Sequence, residues 1–362
     1  MDRITDLAES IFSADDLSVG DTSNSHLASS TSTLTTFQVF RKSLATSEGL
    51  PLLQTDTLRK LGRLLATCST QDKGADLAVE LEESGLARLL KILERSWTVA
   101  EGVEPWESDA LGWKAEEEVE VTKQKGKGKA RKESPGTRRS SRSRSPTVGV
   151  QDQMHDDDSD DDESEYWTAD VLNKATSTAR VLSDALLAIR CALVILTSTD
   201  LPQKLYSVDM LSALLATIRH STTAFLYPLL TCSPSSHLAH LPTLAPTSLS
   251  SVVESLSSTI PLFAAFVHSS ALDDSLVIST LYFALSPFLH DVGPVATKGR
   301  RKGNPVESAM RGIRVESLGL VRTVFGRSPE QRSWVVQEVL DNLTRLEIAK
   351  KGKGSFRFVN FS

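Results

Sequence analysis

Apolar positions recur every three to four residues through most of the chain, and that spacing marks helices. In "TDTLRKLGRLLATC" (55–68) Leu58, Leu61, Leu64 and Leu65 share one face. In "ADLAVELEESGLARLLKILERSW" (75–97) Leu77, Leu81, Leu86, Leu90 and Ile92 or Leu93 repeat the pattern. Neither stretch alternates with the two-residue period of a strand. "ADVLNKATSTARVLSDALLAIRCALVILTST" (169–199) predicts one long apolar helix, or two with a break near Thr176–Thr178. Further helices are expected over 207–231, 248–269 with a kink at Pro261, 272–289, 305–325 and 329–347. The last has the fullest start signal, with Ser328 as N-cap, Pro329 at the first helical position and Gln331 at the capping-box position. Its expected buried face holds Val335 or Val336, Val339, Leu340, Leu343 and Leu346. The one strand-like stretch is "SFRFVNF" (355–361).

Successive helices in pairs, without intervening strands, define an all-α chain. An α-solenoid and an irregular bundle both fit this order, and the regular pairing favours an irregular HEAT-like α-solenoid. The sequence shows no exact repeat, which degenerate helical repeats do not require.

Charge changes this picture in the middle of the chain. "KQKGKGKARKESPGTRRSSRSR" (123–144) has ten basic residues and one acid, Glu133, and "DDDSDDDESE" (156–165) is almost purely acidic. Neither block has apolar side chains whose burial would offset the entropy of ordering. The solenoid is therefore expected to be interrupted by a long disordered, block-charged linker. The resulting division is a flexible segment over 1–34, a helical part over 35–101, the linker over 102–165, a HEAT-like domain over 166–347 and a basic loop over 348–362.

The basic block admits three readings. Lys129, Arg131 and Lys132, followed by Arg138 and Arg139, have the two-cluster form of a nuclear localisation signal. The same charges suit phosphate neutralisation on nucleic acid without sequence preference, or simple solvation of a linker. Ser134 and Ser145 precede prolines, and Ser159 and Ser164 precede acids. Phosphate at these positions would cancel positive charge or extend the acidic run.

Enzyme signatures are missing: the sequence has no phosphate-loop motif, no G-x-S-x-G, no H-E-x-x-H and no C-x-x-C. "CSPSSHLAH" brings Cys232, His237 and His240 within metal-ligand spacing, but no fourth ligand stands nearby, and a loop without metal is the expectation. No cofactor is implied. Three widely spaced cysteines, Cys68, Cys191 and Cys232, suggest a reducing compartment. The N-terminus has no signal-peptide core, and Arg190 interrupts the apolar stretch 185–196, so no membrane partner is expected.

One stretch has a family resemblance. "ESAMRGIRVESLGLVRTVFGRSPEQRSWVVQEVLDNLTRLEIAKKGKGSFRF" (307–358) resembles the cohesin-loader family, the Nipped-B-like sister chromatid cohesion proteins or adherins. A helix with Val315, Leu318, Leu320, Val321 and Phe325 is followed by a short turn. "RSWVVQEVLDNLTRL" (332–346) then stands where the family has an "ILEEI–SL–RLP"-like run, and "FRF" where it has "FRL". Glu347 replaces the family's usual proline, so the helix is expected to run a turn further.

The resemblance implies a non-enzymatic scaffold from the N-terminal part of a cohesin loader's HEAT-repeat region. Such a scaffold acts in sister chromatid cohesion, in the nucleus and on chromatin, by holding cohesin and DNA for loading. The implied partners are cohesin subunits, a TPR-type loader subunit that wraps residues 1–34 around "RITDLAESIF" (3–12), and double-stranded DNA. It also implies that the solenoid continues beyond Phe358. Lys350, Lys351, Lys353 and Arg357 are the candidate DNA contacts; with no group placed to read base edges, binding would ignore sequence. The alternative is a nuclear-transport or adaptor α-solenoid regulated through its charged linker.

Overall fold

The computed structural model describes residues 2–20, 39–42, 51–70, 77–106, 169–198, 207–231, 238, 241–290 and 305–350. The chain runs as helix α1 (Asp2–Gly20), a hairpin of β1 (Phe40–Lys42) and β2 (Pro51–Leu53), then α2 (Thr55–Thr70) and α3 (Leu77–Glu101). After the charged stretch come α4 (Ala169–Leu196), α5 (Val208–His220), a π-helical segment (Ser221–Leu226), α6 (Tyr227–Thr231) and α7 (Leu241–Leu244). The remaining helices are α8 (Pro246–Ser269), α9 (Asp274–Leu289), α10 (Pro305–Arg327) and α11 (Arg332–Lys350).

The apolar stripes dictate how these helices stack. α2 packs on α4, α4 on α8 and α8 on α10, forming one layer. α3 packs on α5, α5 on α9 and α9 on α11, forming a second. The layers join through α3 against α4, α4 against α5 and α9 against α10. This is a two-layer, HEAT-like α-solenoid. One hydrophobic cluster runs from Ile4 through Leu58, Trp97, Leu186 and Phe263 to Val324 and Val335, so the helices on either side of the charged stretch share one core.

Local chemistry explains the element boundaries. Ser207 starts α5 by accepting a hydrogen bond from the Met210 amide at 3.0 Å, and Asp273 does the same for α9 with the Ser275 amide at 3.2 Å. α4 is a single helix, the first of the two readings: the Thr176 and Ser177 hydroxyls donate to carbonyls within it, on Asn173 and Lys174, and the alternative break near Thr176–Thr178 does not form. Pro228 follows the π-helical turn, in which the Tyr227 amide bonds to the Thr222 carbonyl. Widening that turn accommodates a proline that lacks an N–H and crowds the preceding carbonyl. α8 is long and apolar enough to cross a membrane by composition, yet it lies between α4 and α10 with Phe263 and Phe266 fully buried.

Several sequence expectations need correction. Residues 2–20, inside the segment expected to be flexible, form α1, which buries Ile4, Leu7, Ala8, Ile11 and Ala14 against α2 and α3. The β1–β2 hairpin, which pairs Phe40 with Leu53, was not anticipated, because three-residue strands are too short to show a period. α3 is broken at Glu82, whose φ of 53° lies in the left-handed region that side chains disfavour. Ser328 forms no side-chain cap. A three-residue 3-10 turn, Pro329–Gln331, leads into α11 instead, and the Gln331 amide is drawn to Asp274 of α9. In α11, Val335 and Asn342 are buried, while Val336 and Leu340 are 46% and 50% exposed. The side chains of Leu343 and Leu346 lie outside the described residues.

Candidate interaction surfaces

α1 is tied to α3 by charge as well as by its apolar face. Asp15, buried beneath it, accepts from Arg95 at 2.6 Å, and Arg88 approaches the same carboxylate at 3.5 Å while bonding Asp16. The hydrogen bond that Arg88 donates to the Asp16 carboxylate is the main reason the guanidinium is held above its ordinary pKa. The Arg88 guanidinium also lies 5.0 Å above the Phe12 ring. The apolar face of "RITDLAESIF" is thus occupied within the chain.

Beside α1, helix α2 turns Arg59, Lys60 and Arg63 to solvent. Two open grooves adjoin them. One, of about 640 Å³, is lined by Arg3, Asp6, Leu7, Ser10, Lys60, Arg63 and Leu64. The other, of about 570 Å³, lies between α2, α4 and the start of α8, with Arg59, Arg180 and several hydroxyls on its walls. In it the buried carboxylate of Asp184 accepts from the Thr55 hydroxyl at 3.1 Å. Both grooves are open to solvent, with charged side chains on their walls.

The residue just before the charged stretch is firmly seated on the solenoid. Trp106 stacks on Phe225 of the π-helical segment at 5.0 Å, and its indole N–H donates to the Phe225 carbonyl at 3.2 Å. Three residues earlier, the Val103 carbonyl meets His220 at 2.9 Å. Trp106 and Leu172 both pack on the small cluster of Ala175, Leu241 and Ala245. Trp106 and Leu172, on either side of residues 107–168, therefore meet at one place on the solenoid.

The described residues hold no group of three or more metal-ligating side chains. Cys191 is buried against α2, and burial pushes its thiol up to about 12, which removes the thiolate a nucleophile needs. Tyr227 is likewise pushed up to about 12, chiefly by burial; its hydroxyl lies 2.7 Å from that of Ser286.

Of the candidate DNA-contact and import residues, Lys350 alone falls among the described residues. Lys350 is the last residue of α11, so the helix extends past 347 as Glu347 implied, and this lysine does not lie on a loop. Lys351, Lys353 and Arg357 lie outside the described residues, as do Lys129, Arg131, Lys132, Arg138 and Arg139 of the basic block, Cys232, His237 and His240, and the strand-like 355–361. Sequence reading missed the exposed α2 cations and a second apolar face on α10. Arg59, Lys60 and Arg63 fall on the polar side of a visible stripe, and that was the available signal.

These features define a class of fold: an all-α helical repeat, an irregular HEAT-like solenoid. Its fold is similar to that of the Chaetomium thermophilum cohesin loader SCC2, C-terminal fragment, at a TM-score of 0.62 and 11% sequence identity. The likeness covers 95% of this chain and 20% of that one. No protein-family profile and no curated protein matches the sequence.

Proposed function

We propose that the chain is a non-enzymatic scaffold of cohesin loading in sister chromatid cohesion, corresponding to the N-terminal part of a loader's HEAT-repeat region. The observation that carries this reading is the fold likeness to a cohesin loader over 95% of this chain. The sequence resemblance over 307–358, of which 307–350 lie in and between α10 and α11, points the same way. A scaffold of this kind acts by positioning, holding a ring-shaped ATPase and DNA in a productive geometry. Its partners on this reading are cohesin subunits, a TPR-type loader subunit and double-stranded DNA, and its place is the nucleus and chromatin. Since α1 already buries its apolar face, a TPR-type subunit would contact residues 21–38 or the outer face of α1.

Depleting the protein from cells tests this role. Chromatin-bound cohesin should fall and sister chromatids should separate early; normal cohesin loading after depletion contradicts the reading and favours an adaptor solenoid. For import, residues 123–144 fused to a cytoplasmic reporter should carry it into the nucleus. Replacing Lys129, Arg131, Lys132, Arg138 and Arg139 by Ala should abolish that import.

A further inference from the structure

We propose that Ser328, in the turn between α10 and α11, is a phosphorylation site for a proline-directed protein kinase, and that its phosphate draws the Arg332 guanidinium off the end of α10. The sequence has five Ser–Pro steps, at Ser134, Ser145, Ser233, Ser286 and Ser328. The last two lie among the described residues, and the structure separates them. Ser286 sits inside α9, where its hydroxyl donates to the Phe283 carbonyl at 2.8 Å and meets the Tyr227 hydroxyl at 2.7 Å. Its backbone is helical and its hydroxyl is engaged. Ser328 lies outside both neighbouring helices, at φ -112° and ψ 76°, and its hydroxyl caps no amide. The proline that follows turns its backbone away from the helical region. Phe325 to Arg327 are exposed on one side of it, and Pro329 and Glu330 on the other. The 3-10 turn Pro329–Gln331 must open to present an extended Ser–Pro step, and so short a turn opens locally at little cost.

The transfer balances with ATP as phosphoryl donor. Ser328 Oγ bonds to the γ-phosphorus while the bond from that phosphorus to the bridging oxygen breaks, its electron pair leaving on ADP. The hydroxyl proton passes to the carboxylate base of the kinase.

The end of α10 supplies the consequence. Arg332 donates to the Phe325 carbonyl at 3.0 Å through Nε and to the Gly326 carbonyl at 3.2 Å through Nη2, with its guanidinium 5.4 Å over the Phe325 ring. It thereby covers the last carbonyls of the helix, the negative end of the dipole. Ser328 follows Gly326 by two residues, and its amide still bonds the Val324 carbonyl at 3.0 Å. A phosphate there competes for the same guanidinium. Arginine bonds to phosphate are about twice as strong as those to neutral acceptors, so the phosphate wins. Its charge of about -2 also repels the helix carbonyls it has uncovered. The other charges next to Ser328, Arg327 and Glu330, are both exposed and of opposite sign. The last turn of α10 should therefore fray when Ser328 is modified.

The test uses the full chain carrying Ser134→Ala, Ser145→Ala and Ser233→Ala, with ATP and a purified proline-directed kinase, beside a synthetic peptide of residues 322–338. Mass spectrometry should find phosphate at Ser328 and none at Ser286. The rate at Ser328 should lie within about tenfold of that of the peptide, since only a local opening separates the two. An unmodified Ser328 in the chain overturns the proposal, whether or not the peptide is a substrate. Phosphate at Ser286 at the same rate would overturn it too, because the fold would then not select between the steps. Hydrogen exchange reads the second half. Amides 325–328 should exchange about threefold faster or more after phosphorylation. Arg332→Ala should raise the same exchange without phosphate, and modifying that variant should add less than about half of the increase seen in the parent. Equal exchange before and after phosphorylation, or the full increase in the Arg332→Ala chain, overturns the part given to Arg332. None of these outcomes involves cohesin, so failure here is separate from failure of the loading role.

Discussion

Asp15 shows how much of this fold rests on single side chains. Its carboxylate is 7% exposed and faces two guanidiniums, so its loss leaves Arg95 partly buried beside Arg88 with no counter-charge from that side. Asp15→Ala should cost about 2–3 kcal/mol, somewhat below the range for fully buried pairs because Arg88 is more open. Urea unfolding measures this, and an unchanged midpoint would show that α1 docks through its apolar face alone. His290 makes a second residue-level case. Its ring stacks on Tyr227 at 3.8 Å, and burial, followed by the nearby Arg314, holds its pKa below the ordinary 6.5. The unfolded chain therefore takes up the proton first as pH falls. Stability contributed by neutral His290 is present above pH 6.5 and declines below it. His290→Gln should flatten the stability profile between about pH 7 and 5.5; identical profiles would remove His290 from the account.

At the scale of elements, the long helices were legible because their stripes are long and regular, as in α2 and α4. α1 was not, since a short amphipathic stretch such as "RITDLAESIF", under three turns long, has little stability of its own and folds by packing on α2 and α3. On α10 the apolar series was read correctly, but periodicity does not say which of two faces is covered: Leu320 is buried and Leu318 exposed. The candidate site was the least legible part, because surfaces made by stacking helices distant in sequence leave no motif. The division into separate helical parts also gives way at this scale. α2 and α3 pack on α4 across the charged stretch, and Trp106 meets Phe225 beyond it. Cutting the chain at an engineered protease site near residue 145 should leave the two pieces associated through size-exclusion chromatography. Their separation at low micromolar concentration would contradict a shared core.

For the whole molecule, the proposed function rests on surfaces presented by the helical repeat. Lys350, Lys351, Lys353 and Arg357 remain the proposed DNA contacts, and four phosphates neutralised would give a slope of log K against log salt of about -3.6. Replacing the three lysines by Ala should flatten the slope by about 2.7. The basic block adds its own contribution to both measurements and cancels in the difference. An unchanged slope would move DNA contact to other parts of the solenoid, such as the α2 cations. The loading role itself is tested most directly by titrating the purified full chain into purified cohesin and following binding by interferometry. The account predicts saturable binding to the cohesin complex, and no binding to an unrelated ring ATPase of similar charge. Absence of binding to cohesin, or equal binding to both, would contradict it.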